Sequence, residues 1–275
     1  MSVRLRVLVD QMVGKDGLLG EAGWSVLLET PRGCLILDAG MGRVLEHNLR
    51  FLGVDPGKPD VAVLSHGHND HAGGFGLLYE MGFRGPLWMH AQAGGPHFAV
   101  ARGGDPVFVG ADLNLAHRDL RTLDREPVEV LPRVWILPVP LEDRDPRWIP
   151  SAPNLVRPAP GGGFEPDPLE DDLSLVVQGE EGWSVILGCA HAGVVNVLAA
   201  AKERFSVDRF HTVVGGMHLH RGSREWLGEL ADHLASRFPV QRWRPGHCSG
   251  FQAALALSSR FDDVDWAAAG HRYDL

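Results

Sequence analysis

Three histidines and one aspartate follow a short apolar run about a quarter of the way along the chain. The run Val61–Leu64 leads into His66, His68, Asp70 and His71. Because side chains at i and i+2 lie on one face of a strand end, we expect His66 and His68 to converge on one cation. The turn into the following helix would bring Asp70 and His71 toward a second cation. Neutral imidazoles with a carboxylate suit two borderline divalent ions about 4 Å apart.

Such a pair of ions needs further ligands from distant strand ends. His191 lies between a predicted strand and a predicted helix, and so does His247. Sheets covered by helices commonly present their sites at such positions. The predicted metal ligands are therefore His66, His68, Asp70, His71, His191 and His247.

Strands and helices alternate around these residues. The predicted strands are Leu5–Val9, Trp24–Leu28, Cys34–Leu37, Val61–Leu64, Pro86–Met89, Leu173–Val177, Trp183–Leu187, Phe210–Val214 and Val240–Arg244. The predicted helices are Met41–Leu52, Asp70–Met81, Gly193–Arg204, Ser223–Arg237 and Phe251–Arg260. This order indicates mixed sheets covered by helices.

Two segments, at about 91–126 and 141–170, break this periodicity. They are rich in glycine and proline, which leaves little room for helix or sheet. We interpret them as irregular insertions in a single domain that spans residues 1–275, and we expect them to shape a pocket.

The overall composition excludes several classes of function. The 275 residues carry a formal net charge of -9, so no basic field exists to attract nucleic acid or an anionic membrane. The three cysteines are widely spaced without a CxxC pair, which indicates no disulfide framework and favours a reducing cytoplasm. No apolar run approaches the roughly 18 residues of a membrane helix. We expect an unprocessed, soluble, cytoplasmic protein, and the sequence leaves its oligomeric state open.

The His-x-His-x-Asp-His pattern of residues 66–71 closely resembles the signature of the metallo-β-lactamase superfamily. The chain length and element order agree with this resemblance. It implies an α+β or α/β fold, a four-layer αββα sandwich of two mixed β-sheets flanked by helices.

Further segments are similar to one branch of that superfamily. These segments are Gly23–Leu28, Gly188–Asn196, Gly215–Leu219 and Gly246–Gly250. The branch is named for the 7,8-dihydropterin-6-methyl-4-(β-D-ribofuranosyl)aminobenzene-5'-phosphate synthase. The likeness covers most of the chain outside the two irregular segments. It is specific to the branch but not to a substrate.

The resemblance also suggests roles for three further residues. Superfamily members often carry an aspartate that bridges the two ions near the end of the strand that here ends in Cys189, so this chain departs from the pattern. Cys189 or Asp172 could complete the site, but we favour Cys189 as a small buried apolar residue and leave Asp172 as either a ligand or a turn residue. Asp38 matches the superfamily's Asp-x-Gly segment, and we expect it to accept a hydrogen bond from a ligand imidazole.

Other residues are candidates for substrate contacts. His218, at the end of a predicted strand, could bind an anionic group or pass a proton, although a structural histidine is an equal alternative. His220 and Arg221 could assist with a phosphate. Arg102, Arg144 and Arg147 could also contact a phosphate, but we favour solvated surface charges for these three.

The combined interpretation is a metal-dependent hydrolase. Two divalent ions, Zn in the first place with Mn or Fe as alternatives, would activate a water that attacks an ester, phosphoester or lactone-like bond in a small molecule. Asp70 and His218 are the predicted catalytic residues. One alternative is a pterin-linked synthase, in which Trp148 and Phe164 would either stack a pterin or anchor loops. The other is a catalytically silent metal-binding sensor.

Overall fold

The computed structural model describes residues 2–100, 104–111 and 119–275. The strands are β1 (Arg4–Val9), β2 (Ser25–Thr30), β3 (Gly33–Leu37), β4 (Val61–Val63), β5 (Leu87–His90), β6 (Phe98–Val100), β7 (Pro106–Phe108), β8 (Leu120–Leu123), β9 (Val128–Leu131), β10 (Val134–Pro138), β11 (Leu155–Pro158), β12 (Phe164–Pro166), β13 (Leu173–Gln178), β14 (Trp183–Leu187), β15 (Phe210–Gly216), β16 (Val240–Gly246) and β17 (Arg272–Asp274). The helices are α1 (Leu45–Leu52), α2 (Asn69–Ala72), α3 (Phe75–Glu80), α4 (Val194–Phe205), α5 (Arg224–Arg237) and α6 (Phe251–Ser258).

Two mixed sheets form the centre of the molecule. The first has the strand order β17-β1-β2-β3-β4-β5-β8, and the second has the order β16-β15-β14-β13-β10-β9. In the first sheet, β3, β4, β5 and β8 run parallel to one another. In the second sheet, β14, β15 and β16 do the same. The carboxyl ends of parallel strands in both sheets can therefore contribute to one site.

An apolar layer fills the space between the sheets. Leu35, Leu37 and Val63 of the first sheet belong to the same buried cluster as Leu175 and Ile186 of the second. Successive side chains of a strand point to opposite faces, so the residues that alternate with these core residues point to the outer face of each sheet. Strands that are buried on both faces are expected to be almost continuously hydrophobic, as these are.

The outer faces of both sheets are covered by helices. Ile36 and Ala62 of the first sheet pack in one cluster with Leu45 and Leu49 of α1 and Phe75 of α3. On the second sheet, Val185 and Val213 share a cluster with α4, α5 and α6. The result is the αββα sandwich of two mixed sheets, which confirms the predicted fold class.

The two segments predicted to be irregular contain strands. Strands β6, β7, β11 and β12 form a small antiparallel sheet of their own, in the order β12-β11-β6-β7. Phe98 packs edge-on against Phe108 and Phe164, which gives these short strands a shared apolar contact. Proline is tolerated because Pro166 lies in an edge strand and Pro106 begins one. In addition, β8 joins the first sheet beside β5.

The helix predicted from Asp70 to Met81 is divided in two. Helix α2 ends at Ala72 and α3 begins at Phe75, with Gly73 and Gly74 between them. A Cβ atom at Gly74 would lie 2.1 Å from the Ala39 carbonyl oxygen, so a side chain is excluded there. Strands β9, β10 and β17 were missed by the periodicity analysis. Among the described residues, no helix is long and apolar enough to cross a membrane.

Candidate metal centre

The predicted ligands lie together at the carboxyl ends of parallel strands from both sheets. His66, His68, Asp70 and His71 follow β4, and His71 and Asp70 lie in α2. His191 follows β14, and His247 follows β16. This position agrees with the general rule that open sheets of this kind bind ligands beyond the carboxyl ends of their strands.

One group of possible ligand atoms contains His66 and His191. Together with Cys189 they offer nitrogen and sulfur atoms that all lie within 4.8 Å of one another. His68 is adjacent, because its Nδ1 lies 3.0 Å from Nε2 of His66. Both ring nitrogens of His191 are buried and have no hydrogen-bond partner. In a neutral imidazole one of the two nitrogens carries a free lone pair, so His191 can offer that nitrogen to a metal ion.

A second group contains His71 and His247, again with Cys189. The Nε2 atoms of the two imidazoles are 3.1 Å apart. The Asp70 carboxylate lies 3.4 Å from Nε2 of His247 and 3.9 Å from Nε2 of His71. The Asp70 carboxylate is therefore near enough to add a negative charge to this group.

Cys189 belongs to both groups. Its side chain is buried, as expected of the small apolar residue favoured above, and its Sγ lies 3.2 Å from Nε2 of His71. The thiol thus occupies the point that the two groups share. Sequence reasoning identified Cys189 as a candidate ligand but did not favour it, because burial alone does not distinguish an inert thiol from a ligand.

Asp38 has the position that the sequence analysis expected. Its Oδ2 lies 2.7 Å from Nδ1 of His71 and accepts a hydrogen bond of 2.8 Å from the Ser65 hydroxyl. Its Oδ1 accepts one from the Ser65 amide. The same hydroxyl lies 2.9 Å from Nδ1 of His66. Both imidazoles are thereby held with Nε2 directed into the site.

Other aspartates, which the sequence analysis missed or left open, hold the loops that carry the ligands. Asp10 accepts a hydrogen bond of 2.6 Å from the His247 amide. Asp171 accepts one from the amide of Gly67, between His66 and His68. Asp172 accepts one from the Ala192 amide, next to His191, and so helps to hold that loop. Asp10 directly follows a predicted strand, as Asp38 does, and this was the signal that could have identified it.

Backbone strain is concentrated around the ligands. Asp38, Ala190, His218 and His247 have left-handed backbones, with φ of 59°, 50°, 50° and 49°. Such a conformation costs a non-glycine residue on the order of 1–3 kcal/mol. The surrounding hydrogen bonds, such as that from the His247 amide to Asp10, must offset this cost.

Burial keeps several of these imidazoles neutral. It lowers the pKa of His68 to about 4, and it lowers the pKa of His66 and of His191 well below the ordinary value. Burial opposes the charge of Asp70, but His71 and His247 bring the pKa of its carboxyl below the ordinary value. Neutral imidazoles and an ionised carboxylate are the forms that bind a divalent cation.

The donor set fits divalent metal ions. Donors that share one tetrahedral Zn lie roughly 3–4 Å apart, given bond lengths of about 2.0–2.3 Å. The nitrogen pairs His66–His68 and His71–His247 approach this spacing, at 3.0 and 3.1 Å. His191, whose ring nitrogens have no hydrogen-bond partner, can supply a further nitrogen in the same place.

A cavity of about 510 Å³ lies over these residues. His68, Asp70, His191 and His247 contribute to its lining, and so do both Cys189 and Cys248. Its apolar lining residues include Met41, Ala99, Val109 and Leu155. The last three lie in or next to the small sheet, so this sheet shapes the pocket, as expected of the two segments.

His218 and His220 also line this cavity. The ring of His218 lies 4.4 Å from that of His191, centroid to centroid, and its Nδ1 has no hydrogen-bond partner. Nε2 of His220 accepts a hydrogen bond of 3.2 Å from Nε of Arg221. His218 is therefore placed to contact a bound molecule.

The other predicted substrate contacts lie elsewhere. Arg144 is neither a surface charge nor a lining residue of the cavity, because its buried guanidinium donates to the carbonyl groups of Val139, Pro168 and Leu169. Arg147 is exposed and paired with Asp145. Arg102 lies outside the described residues.

Trp148 and Phe164 behave as anchors. Trp148 stacks on His233, with ring centroids 4.5 Å apart, and Phe164 packs on Phe98 of β6. Within the described part of the chain, neither residue lines the cavity over the metal ligands. The predicted pterin-stacking role is therefore not supported for these two side chains.

Most of the chain matches the sequence model of one protein family. Residues 18–205, more than half of the chain, match the model described as the metallo-beta-lactamase superfamily. The chain belongs to the metallo-β-lactamase superfamily. The His-x-His-x-Asp-His resemblance is thereby confirmed.

Two curated relatives are similar to most of the chain. The 7,8-dihydropterin-6-methyl-4-(beta-D-ribofuranosyl)-aminobenzene-5'-phosphate synthase of Methanocaldococcus jannaschii is 26% identical over 81% of this chain and 78% of its own length. An uncharacterized protein of the same organism is 28% identical over 92% of this chain and 93% of its own. The resemblance to the synthase branch is thus confirmed.

Solved structures of the superfamily agree with the fold. Tm1679, described as a metal-dependent hydrolase of the beta-lactamase superfamily, has a TM-score of 0.84 and 28% identity, with 99% of both chains covered. The metallo-beta-lactamase fold protein YhfI from Bacillus subtilis has a TM-score of 0.56 at 14% identity, with 99% of both chains covered, which supports the fold alone.

Proposed function

We propose that this protein is a metal-dependent hydrolase that acts on an ester, phosphoester or lactone-like bond in a small molecule. The observation that carries the proposal is the pair of ligand groups that share Cys189 at the wall of one cavity. The similarity to Tm1679, described as a metal-dependent hydrolase, supports it.

The ligands divide into two sets in this proposal. His66, His68 and His191 would hold one ion, and Asp70, His71 and His247 would hold the other. The Cys189 thiolate would lie between them, where other superfamily members often use an aspartate. A thiolate is a soft ligand, so it favours Zn or Fe over Mn. When bound, the two ions would supply Lewis acidity and a nucleophilic water near neutral pH.

The chain's own residues would orient the reactants. The Asp70 carboxylate lines the cavity next to Nε2 of His247, where it can accept a proton from a nucleophile. His218 lies on the wall beside His191 and offers an unpartnered nitrogen to an anionic group or a leaving group. Met41, Val109 and Leu155 would exclude water from the other side of the substrate.

The cavity indicates the class of substrate. A volume of about 510 Å³ lies within the range of small-molecule sites. Its wall combines apolar side chains with Gln11, Asn69 and His220. Such a surface suits a compact molecule with an apolar part and one polar or anionic group, which includes phosphorylated substrates.

Metal analysis is the first test. Protein purified without added metal should contain about two equivalents of divalent metal per chain, and the His66→Ala, His68→Ala double variant should lose most of it. A His90→Ala, His211→Ala double variant is a matched control, because it also removes two buried histidines but neither belongs to a ligand group. Wild-type protein without metal, and without uptake of Zn, Mn or Fe, would overturn the proposal.

The substrate class is tested next with metal-loaded protein. Panels of phosphodiesters, phosphomonoesters, carboxylic esters and lactones should reveal turnover that is absent from the double variant. Full metal occupancy without any turnover would favour a metal-binding sensor instead.

A second candidate function follows from the relative in Methanocaldococcus jannaschii. That relative is named as a synthase rather than a hydrolase. Incubation of the metal-loaded protein with a dihydropterin and a ribofuranosyl-aminobenzene phosphate, followed by mass spectrometry, distinguishes the two. A condensation product, without hydrolysis of the panel substrates, would favour the synthase.

A further inference from the structure

Two cysteine thiols meet at the edge of the candidate metal centre. The Sγ atoms of Cys189 and Cys248 are 3.2 Å apart, and both residues line the cavity. A disulfide requires an S–S distance of about 2.05 Å, so the sulfur atoms need to move by only roughly 1 Å. The third cysteine of the chain, Cys34, is buried in the apolar layer between the first sheet and its helices.

The topology explains why these two cysteines meet. Cys189 follows β14 and Cys248 follows β16, and β15 lies between these strands. At the end of β15 the chain has Gly216, where a Cβ atom would lie 2.9 Å from Sγ of Cys248. The absence of a side chain at this position lets Cys248 reach across the intervening strand.

We propose that Cys189 and Cys248 form a reversible disulfide that withdraws Cys189 from the metal centre. The proposal depends on the proposed function only for this consequence, because Cys189 is common to both ligand groups. The disulfide itself follows from the thiol pair. Oxidation would then leave both groups without their shared ligand, and metal binding would require the reduced thiols.

A small-molecule disulfide can serve as the oxidant. The Cys248 thiolate is the attacking group, since it is the more exposed of the pair and accepts a hydrogen bond from the His218 amide at 3.1 Å. It attacks one sulfur of the oxidant and releases the first small thiol. The Cys189 thiolate then attacks the Cys248 sulfur of the mixed disulfide and releases the second. The two protein thiols lose two protons and two electrons, and the oxidant is reduced to two thiols.

Oxidised glutathione tests the proposal on metal-free full-length protein. After treatment, proteolysis without reduction and mass spectrometry should find a peptide pair joined through Cys189 and Cys248, lighter by two hydrogen atoms than the reduced peptides. The apparent zinc affinity should fall by roughly 10-fold or more and return after dithiothreitol. Zinc loaded before the treatment should prevent the cross-link, because the metal centre then holds the Cys189 thiolate.

Two variants provide controls. Cys248→Ser retains Cys189 but cannot form the bond, so it should take up zinc equally well before and after oxidised glutathione. Cys34→Ser should form the cross-link and lose zinc affinity as the wild type does. Cross-link mapping needs no metal. If oxidation forms the cross-link but the reduced protein does not bind zinc, the proposed function would be overturned and the disulfide would not. A glutathione adduct on Cys248 that does not resolve, or a cross-link without an effect on zinc affinity, would overturn this inference.

Discussion

The carboxylate of Asp38 lies 2.7 Å from Nδ1 of His71, and both side chains are fully buried. This contact places the imidazole proton on Nδ1, since an ionised carboxylate can only accept a hydrogen bond. The lone pair of Nε2 then points toward Nε2 of His247 at 3.1 Å and Sγ of Cys189 at 3.2 Å. Asp38, at the end of β3, thus fixes the direction in which His71 of α2 presents its Nε2.

Replacement of Asp38 by asparagine tests this relationship. The introduced amide offers His71 either an N–H or a weaker acceptor, so we expect the zinc affinity to fall by about 10–100-fold with little change in the circular dichroism spectrum. Competition with a chromophoric chelator measures the affinity. Asp60→Asn is a matched control, because Asp60 also accepts a backbone hydrogen bond, from Cys34, but lies away from the site. Wild-type affinity in Asp38→Asn would contradict the assigned role.

Gly67, between the first two ligand histidines, permits a close approach of two backbones. A Cβ atom there would lie 2.1 Å from the Ala93 carbonyl oxygen and 2.9 Å from Nε2 of His97. We therefore expect Gly67→Ala to displace the loop, and to lower both zinc affinity and the free energy of unfolding, the latter by more than about 1 kcal/mol.

The matched control for Gly67→Ala is Gly228→Ala in α5. Nothing lies within 4 Å of a Cβ atom at Gly228, so alanine should stabilise the helix by about 0.5–1 kcal/mol. Urea unfolding of the metal-free proteins measures both changes. Equal stability of Gly67→Ala and the wild type would show that the loop can yield at no cost.

The clustering of the candidate metal ligands could be predicted from the sequence because these residues obey a local rule. His66, His191 and His247 each follow an apolar strand, and strand ends of both sheets meet at one edge of this fold. Asp171 follows no such rule, and Asp10 follows a strand but looks like any turn aspartate in a sequence. The partners of Asp10 and Asp171, the amides of His247 and Gly67, are 237 and 104 positions away.

The small sheet could not be predicted for a related reason. Its strands have three or four residues, which is too short for a period of two to be recognised. Strand β6 pairs with β11, more than fifty positions later, and this pairing depends on tertiary contacts such as that between Phe98 and Phe164. The glycine and proline residues of both segments indicated loops. Each segment forms strands because it pairs with the other, and a pattern read over a few neighbouring residues does not show such a distant partner.

Arg144 stabilises the second of these segments. Its buried guanidinium donates to four carbonyl groups, at 2.8, 3.1, 3.0 and 3.4 Å. Arg144→Met keeps much of the volume but leaves these acceptors unpaired, so we expect a loss of about 3 kcal/mol in unfolding free energy. Arg147→Met, which removes an exposed ion pair, should cost less than about 1 kcal/mol. If Arg144→Met were fully stable but lost turnover of phosphoesters, Arg144 would be a substrate contact after all.

The ion pair between His97 and Asp167 should make stability depend on pH. Nδ1 of His97 lies 2.6 Å from the Asp167 carboxylate, and Nε2 lies 3.6 Å from Asp171. Burial opposes the imidazolium, but the two carboxylates raise the pKa of His97 above its ordinary 6.5. Burial likewise opposes the carboxylate, but His97 lowers the pKa of Asp167 below its ordinary 3.8.

The signs of these shifts define the window in which the pair stabilises the fold. The raised pKa of His97 contributes stability that is fully present below pH 6.5 and is lost as the pH rises through the folded-state pKa. The lowered pKa of Asp167 contributes stability that is present above pH 3.8 and is lost as the pH falls through its folded-state pKa. In metal-free protein, His97→Gln should therefore cost about 1–3 kcal/mol at about pH 5 and less at about pH 9, as measured by urea unfolding. In an Asp167→Asn background, the difference between the costs of His97→Gln at the two pH values should shrink. If His97→Gln costs the same at both pH values in the wild-type background, the pair is not ionic.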